Sequence, residues 1–224
     1  MIGIIIQARL GSTRLPGKVL MPIGKKTLLE HVMYRLSFLK EKAEVVIATS
    51  DKEKDDKLAA FCAEKGYHCF RGSEDNVLER YYLCAQEYGF TDIVRLTADN
   101  PFVDVEEIDN LISLYRESGA DYAKSFAALP YGVGAEIFSF EALTRDYRES
   151  TMPHHFEHVN EYILENPQIF KTVDLRTKAD KCHPQVRLTV DTQEDYRRAC
   201  FIVDNCTEEY VTTQEAIRLC SQFV

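Results

Sequence analysis

The 224-residue sequence contains no tryptophan, no Cys-x-x-Cys pair, no long basic run and no internal repeat. Its seven cysteines (Cys62, Cys69, Cys84, Cys182, Cys200, Cys206, Cys220) are odd in number and scattered. That pattern excludes a disulfide framework and a zinc knuckle, and it suits free thiols in a reducing cytoplasm. Lys and Arg number 27 against 36 Asp and Glu, giving a formal charge of −9. An acidic chain without a basic run offers no positive surface to nucleic acid or to an anionic membrane. No apolar run reaches the length of a membrane span. The opening run Met1 to Ile6 meets Gln7 and Arg9 at once, too soon for a secretory signal, so a cytoplasmic location is expected. A phosphate ligand must therefore be held by a few local cations, a helix N-terminus or a metal.

What is present is enough apolar residue, 45% of the chain, to bury a sizeable core. Ile2 to Gln7 is a continuous apolar run, as a strand buried on both faces should be. Leu28 to Leu39 has helical spacing, Val45 to Thr49 reads as a strand, and Leu58 to Lys65 as a helix capped by Gly66. Tyr67–Phe70 and Asp92–Thr97 read as further strands, and 76–88 and 105–117 as helices. Strand and helix alternating in this way predict an α/β fold with a Rossmann-like, mostly parallel sheet flanked by helices. After Asp121 the rhythm changes. Tyr131 to Phe140 reads as extended, Pro153 to Tyr162 as a helix, Val186 to Val190 as a buried strand, and 194–203 and 213–220 as closing helices. The expected organisation is one domain over 1–224 with an inserted arm at 125–183.

Chemistry gathers first in Ala8-Arg9-Leu10-Gly11-Ser12-Thr13-Arg14-Leu15-Pro16-Gly17-Lys18. Two glycines allow close backbone approach, successive amides can cradle an anion, and three cations stand within ten residues. The loop follows the carboxyl end of a strand, where open α/β sheets bind ligands. It is neither a Walker A loop, since five residues separate Gly11 from Gly17 and Val19 follows Lys18, nor Gly-x-Gly-x-x-Gly. Asp99 and Asp191 each stand just past an apolar run, and paired carboxylates beside a polyphosphate loop suit magnesium. Helix capping is the competing role, preferred for Asp104 and shared for Asp191, with Glu194 three residues on. His154-His155-Phe156-Glu157-His158 matches His-x-x-Glu-His, so a zinc hydrolase using His154, Glu157 and His158 is a rival reading. A nucleotide-binding or glycosyl-transferring protein on the same sheet is another.

The segment Gln7 to Leu20 resembles the N-terminal signature of sugar-activating cytidylyltransferases, those for 3-deoxy-manno-octulosonate and acylneuraminate and the spore-coat-polysaccharide type. Arg71-Gly72-Ser73-Glu74-Asp75-Asn76-Val77-Leu78, Arg95 to Pro101, Glu157-His158-Val159 and Arg187 to Asp191 are similar to later blocks in the same order. The resemblance implies a nucleotide-diphospho-sugar transferase type of fold with an arm for acceptor binding or dimer contact. It also implies transfer of CMP from CTP to a small acidic sugar-like acceptor, with Mg²⁺, in a homodimer. Under that reading Ala8, Arg9, Gly11, Ser12, Arg14 and Lys18 hold the nucleotide, with Arg71 and Ser73 near the base. Lys18, Asp99 and Asp191 are catalytic, the two aspartates holding the metal. Glu136, Glu157, His158 and Arg187 face the acceptor. Gly134 stands where relatives often carry an acid, so the acceptor is expected to differ from theirs. Lys18 itself is expected to be an exposed loop residue whose loss spares the fold.

Overall fold

The computed structural model describes residues 1–223. Its first strand explains the layering. In β1 (Ile2–Gln7) the side chains of Ile4, Ile5 and Ile6 are fully buried, and they point alternately to two apolar layers. Ile4 and Ile6 join Leu29 and Val32 of α1 (Leu28–Leu36), Leu58 of α2 (Asp56–Lys65) and Leu111 of α4 (Val105–Ser118). Ile5 faces Leu78 and Tyr81 of α3 (Val77–Glu87), Leu143 of α5 (Phe140–Glu149) and Ile163 of α7 (Glu161–Glu165). Helices thus cover both faces, which is why the run lacks the alternation of a half-exposed strand.

The sheet has seven strands in the order β5 (His68–Gly72), β4 (Glu44–Ser50), β1, β6 (Asp92–Thr97), β8 (Glu136–Ser139), β7 (Tyr122–Lys124), β9 (Thr172–Asp174). β8 runs antiparallel to both β6 and β7, and every other pairing in the sheet is parallel. From β1 the chain moves to β4 and β5 on one side, then returns to β6 on the other. The carboxyl ends of β1 and β6 therefore flank the point where the strand order reverses, the place such sheets use for ligands. A short hairpin of β2 (Pro22–Ile23) and β3 (Lys26–Thr27) leads into α1, which Thr27 and Glu30 cap reciprocally.

The second half departs from expectation at four places. Segment 125–183 is no excursion from the sheet, because β8 and β9 lie within it and complete the sheet. Of the stretch 131–140, only Glu136–Ser139 is strand, and α5 follows at once, capped by Ser139. The expected helix from Pro153 to Tyr162 is two short ones, α6 (Pro153–Glu157) and α7, because His158 is extended, with φ −114° and ψ 95°. Val186 to Val190 is not a strand. It bonds to the backbone of Tyr131 and Asp99, with Val186 O accepting from Tyr131 N at 2.8 Å and Val190 N donating to Asp99 O at 2.9 Å. Its Leu188 and Val190 fill a third apolar cluster with Leu15, Val133, Ile202 of α8 (Gln193–Asn205) and Ala216 of α9 (Thr213–Cys220). The apolar run is buried under helices outside the sheet, a difference periodicity cannot register.

Candidate active site

The loop after β1 is seated by a residue that no motif singles out. Asp55, fully buried, accepts from Leu10 N at 2.6 Å and from the Ser50 hydroxyl at the end of β4. With the loop fixed there, the amides of Gly11, Ser12, Thr13 and Arg14 have no hydrogen-bond acceptor among the described residues, and together they offer donors to an anion. Lys18 is not the exposed residue expected. Its side chain is 9% exposed, and its ammonium donates to Asp99 Oδ2 at 2.8 Å, Asp191 Oδ1 at 2.9 Å and Val190 O at 2.8 Å. An ammonium has three hydrogens, and all three are used.

Asp99 is further oriented by Thr97, whose hydroxyl donates to Oδ1 at 2.6 Å while accepting from Asn100 Nδ2 at 2.9 Å. Asp191 collects Lys18 and Arg14 on Oδ1, and Arg187 on Oδ2 at 2.5 Å. Burial alone would raise the Asp191 pKa, but Lys18, Arg14 and Arg187 outweigh it and hold the carboxyl below the usual range. Capping falls to a neighbour. Thr192 and Asp195 form the reciprocal cap of α8, which leaves both Asp191 oxygens for the site, and Glu194 is no part of that cap. Asp104 is an N-cap, accepting from Glu107 N at 3.1 Å.

Two cavities meet at this cluster. One, of about 220 Å³, is lined by Gln7, Arg9, Gly11, Ser12, Lys18 and neighbours. The other, of about 540 Å³, is walled by Arg95, Asn100, Phe126, Tyr131, Gly132, Gly134 and Glu136 among others. Arg14, Thr97, Asp99 and Asp191 line both. In the larger cavity Gly132 has φ 93°, and a Cβ there would lie 2.7 Å from both the backbone and the side chain of Thr189. A Cβ at Gly134 would come 2.7 Å from the Phe126 ring, so the ring stands where a side chain would.

The remaining expected residues divide. Glu136 reaches the larger cavity but is fully buried, paired with Arg95 and accepting from Tyr122 OH at 2.6 Å and from Asn160. Arg187 touches Asp191 and stacks 4.9 Å from the Tyr131 ring, and it does not line that cavity. Glu157 and His158 are exposed and line neither. Ala8 is buried at the end of β1. Arg71 donates to the carbonyls of Ser50 and Lys52 and pairs with Asp56 at 2.7 Å, while Ser73 accepts from Asn76 N in the turn before α3. That turn adjoins the loop, since Glu74 and its partner Lys54 lie against Gly11.

The zinc-hydrolase reading fails on geometry. His158 lies past the end of α6, so no helical turn aligns it with His154. The convergent set is instead His154 and His155 on Glu165, at 2.8 and 2.9 Å.

The profile of the cytidylyltransferase family matches residues 3–221. The chain belongs to that family. It is 42% identical over 197 residues to the spore coat polysaccharide biosynthesis protein SpsF of Bacillus subtilis, covering 86% of this chain and 82% of that one. A cytidylyltransferase structure from Leptospira borgpetersenii superposes with a TM-score of 0.91 at 32% identity, covering 99% and 94% of the two chains. A CMP:2-keto-3-deoxy-manno-octonic acid synthetase complexed with CTP shares the fold, with a TM-score of 0.68 at 20% identity over 91% of this chain and 98% of its own. No helix of the described residues is long and apolar enough to cross a membrane.

Proposed function

We propose that this cytidylyltransferase moves CMP from CTP to an acidic sugar-like acceptor and releases pyrophosphate, in the making of a surface polysaccharide or glycoconjugate. One observation carries the reading: two cavities of different chemistry share Arg14, Thr97, Asp99 and Asp191. A donor nucleotide on one side and an acceptor on the other would meet at those four residues. The small cavity has the free amides of Gly11 to Arg14 and the cations Arg9 and Arg14, as a triphosphate requires. The cytosine lies toward the turn at Arg71 and Ser73. The larger cavity has polar walls and two exposed aromatics, Phe126 and Tyr131, that suit the apolar face of a sugar. Polysaccharide biosynthesis is supported by the SpsF likeness.

The residues present fit a hard divalent cation. Oxygens of Asp99 and Asp191 already converge on one ammonium at 2.8 and 2.9 Å, and magnesium favours one or two carboxylates plus phosphates. Asp99 and Asp191 would hold Mg²⁺, which when bound offsets charge on the departing pyrophosphate. Lys18 keeps the two carboxylates together and is their counter-cation until the nucleotide arrives. An acceptor hydroxyl oxygen then bonds to the α-phosphorus as the bond to pyrophosphate breaks, and the hydroxyl proton passes to solvent. The protein contributes position and charge, and no protein nucleophile is needed. Thermal-shift titration with CTP, UTP, GTP and ATP in magnesium tests the donor. CTP gives the largest shift, and equal shifts remove the base assignment.

A further inference from the structure

Asp55 stands at the N-cap of α2, where an aspartate ordinarily accepts from the first amides of its helix, yet its side chain makes no cap hydrogen bond. Both oxygens are used elsewhere, one on Leu10 N at 2.6 Å and the other on the Ser50 hydroxyl. The carboxyl is fully buried and forms no ion pair among the described residues. Such burial costs free energy, and a loop amide and one hydroxyl are what directly offset it. Arg80, also fully buried, is attracted to Asp55 without touching it and donates to Ser73 O.

The residues around Asp55 tie together two parts of the chain. Lys54 pairs with Glu74, and its ammonium lies 3.1 Å from the Cβ position of Gly11. Arg71 donates to the carbonyls of Ser50 and Lys52, at 3.1 and 2.9 Å. Segment 50–56 thus meets the loop at Leu10 through Asp55 and at Gly11 through Lys54, and meets the stretch 71–74 through Arg71 and Glu74. Leu10 is held on both sides, since its carbonyl accepts from Gly17 N at 3.0 Å. It immediately precedes the free amides of Gly11 to Arg14, so the bond to Asp55 fixes the chain where that row of donors begins.

Resting on the transfer reading above, we propose that Asp55 is a positioning residue for the phosphates of CTP, presetting the amides of Gly11 to Arg14 while touching neither nucleotide nor acceptor. A row of donors aligned in advance loses less conformational freedom when the anion arrives, so the effect falls on phosphate affinity. The bond to Leu10 needs an acceptor oxygen rather than a charge. Asparagine supplies that oxygen, and its amide can donate to the Ser50 hydroxyl.

Calorimetry on the whole chain, with CTP and CMP in magnesium, tests this. Asp55→Ala weakens CTP about 10-fold or more and CMP by no more than about 3-fold. General damage to the fold would weaken both alike. Asp55→Asn recovers most of the CTP affinity, which a requirement for the buried charge would forbid. Amide hydrogen exchange on wild type covers the case in which Asp55→Ala does not fold. There the Leu10 amide is protected in the free protein, whereas those of Gly11 to Arg14 gain protection only with CTP. Wild type that fails to bind CTP overturns the transfer reading itself. With normal CTP binding in wild type, four results overturn the role of Asp55 alone: unchanged CTP affinity in Asp55→Ala, CMP weakened as much as CTP, Asn no better than Ala, or Leu10 exchanging as fast as Gly11.

Discussion

The two cavities that meet at Asp99 and Asp191 are built differently. The smaller cavity is one stretch of chain, Gln7 to Val19, closed by Thr97, Asp99 and Asp191. The larger cavity is assembled from five stretches, around residues 14, 95–100, 126–136, 184 and 189–191. A loop that must present amides and cations to phosphates is a local task, solved by neighbouring residues. A cavity that must select one acceptor is a tertiary task. The glycines show the contrast. Gly17 has open space around its Cβ position, whereas Gly132 is pressed against Thr189.

Substitutions can break or sharpen that contrast. The largest effect is expected where the sides meet: Asp99→Asn and Asp191→Asn each lower turnover by about 100-fold or more, with a fall in melting midpoint smaller than that of Lys18→Ala because an Asn oxygen can still accept from Lys18. Pyrophosphate release and a melting curve check this. Next is Lys18→Ala, which removes the one cation Asp99 and Asp191 share and leaves Arg14 and Arg187 on Asp191 alone. Breaking a pair this buried costs roughly 2–4 kcal/mol, the low end because Asp99 stays partly exposed. The melting midpoint should drop by several degrees, and CTP binding should weaken; an unchanged midpoint would show that the aspartates do not need Lys18.

Gly132→Ala probes the other side. A side chain at φ 93°, 2.7 Å from Thr189, costs roughly 1–3 kcal/mol. The acceptor KM should rise while CTP affinity, read by calorimetry, stays within about 3-fold; equal losses on both sides would merge the cavities.

A control lies outside both cavities. Asp146 on α5 is buried, and burial pushes its pKa up to about 7, against which the Ser150 hydroxyl pulls only weakly. A carboxyl with a raised folded-state pKa binds more protons folded than unfolded between about pH 4 and 7. Its contribution to stability is therefore present at low pH and lost as pH rises toward 7. Asp146→Asn should gain stability over wild type as pH climbs through that window, by a few kcal/mol at most. Parallel unfolding curves from pH 4 to 8 would contradict it. The smallest effect is none: His154→Ala should leave turnover unchanged, as a zinc-hydrolase reading would not allow.

The same division governs what the sequence made legible. Loop 8–18, the strand before Asp99 and the stop at Pro101 are contiguous signals, and residues of the loop do line one crevice with Asp99. The pairing of Arg95 with Glu136 needs β8 to run against β6, a reversal that no spacing along the chain announces. Asp55 was invisible for the same reason, since it meets Leu10 across 45 residues. Val186 to Val190 misled because burial under α8 and α9 leaves the same apolar run as burial in a sheet. His-x-x-Glu-His stayed a rival on sequence alone because its meaning depends on a helix, and that helix ends at Glu157.

The central claim is that Asp99 and Asp191 form one site. The measurement is a double-mutant cycle in kcat/KM for CTP-dependent pyrophosphate release, with Asp99→Asn, Asp191→Asn and both together. If the two carboxylates act as a unit, the double variant loses far less than the product of the single losses. Losses that multiply would mean two independent roles, and the shared site would be wrong.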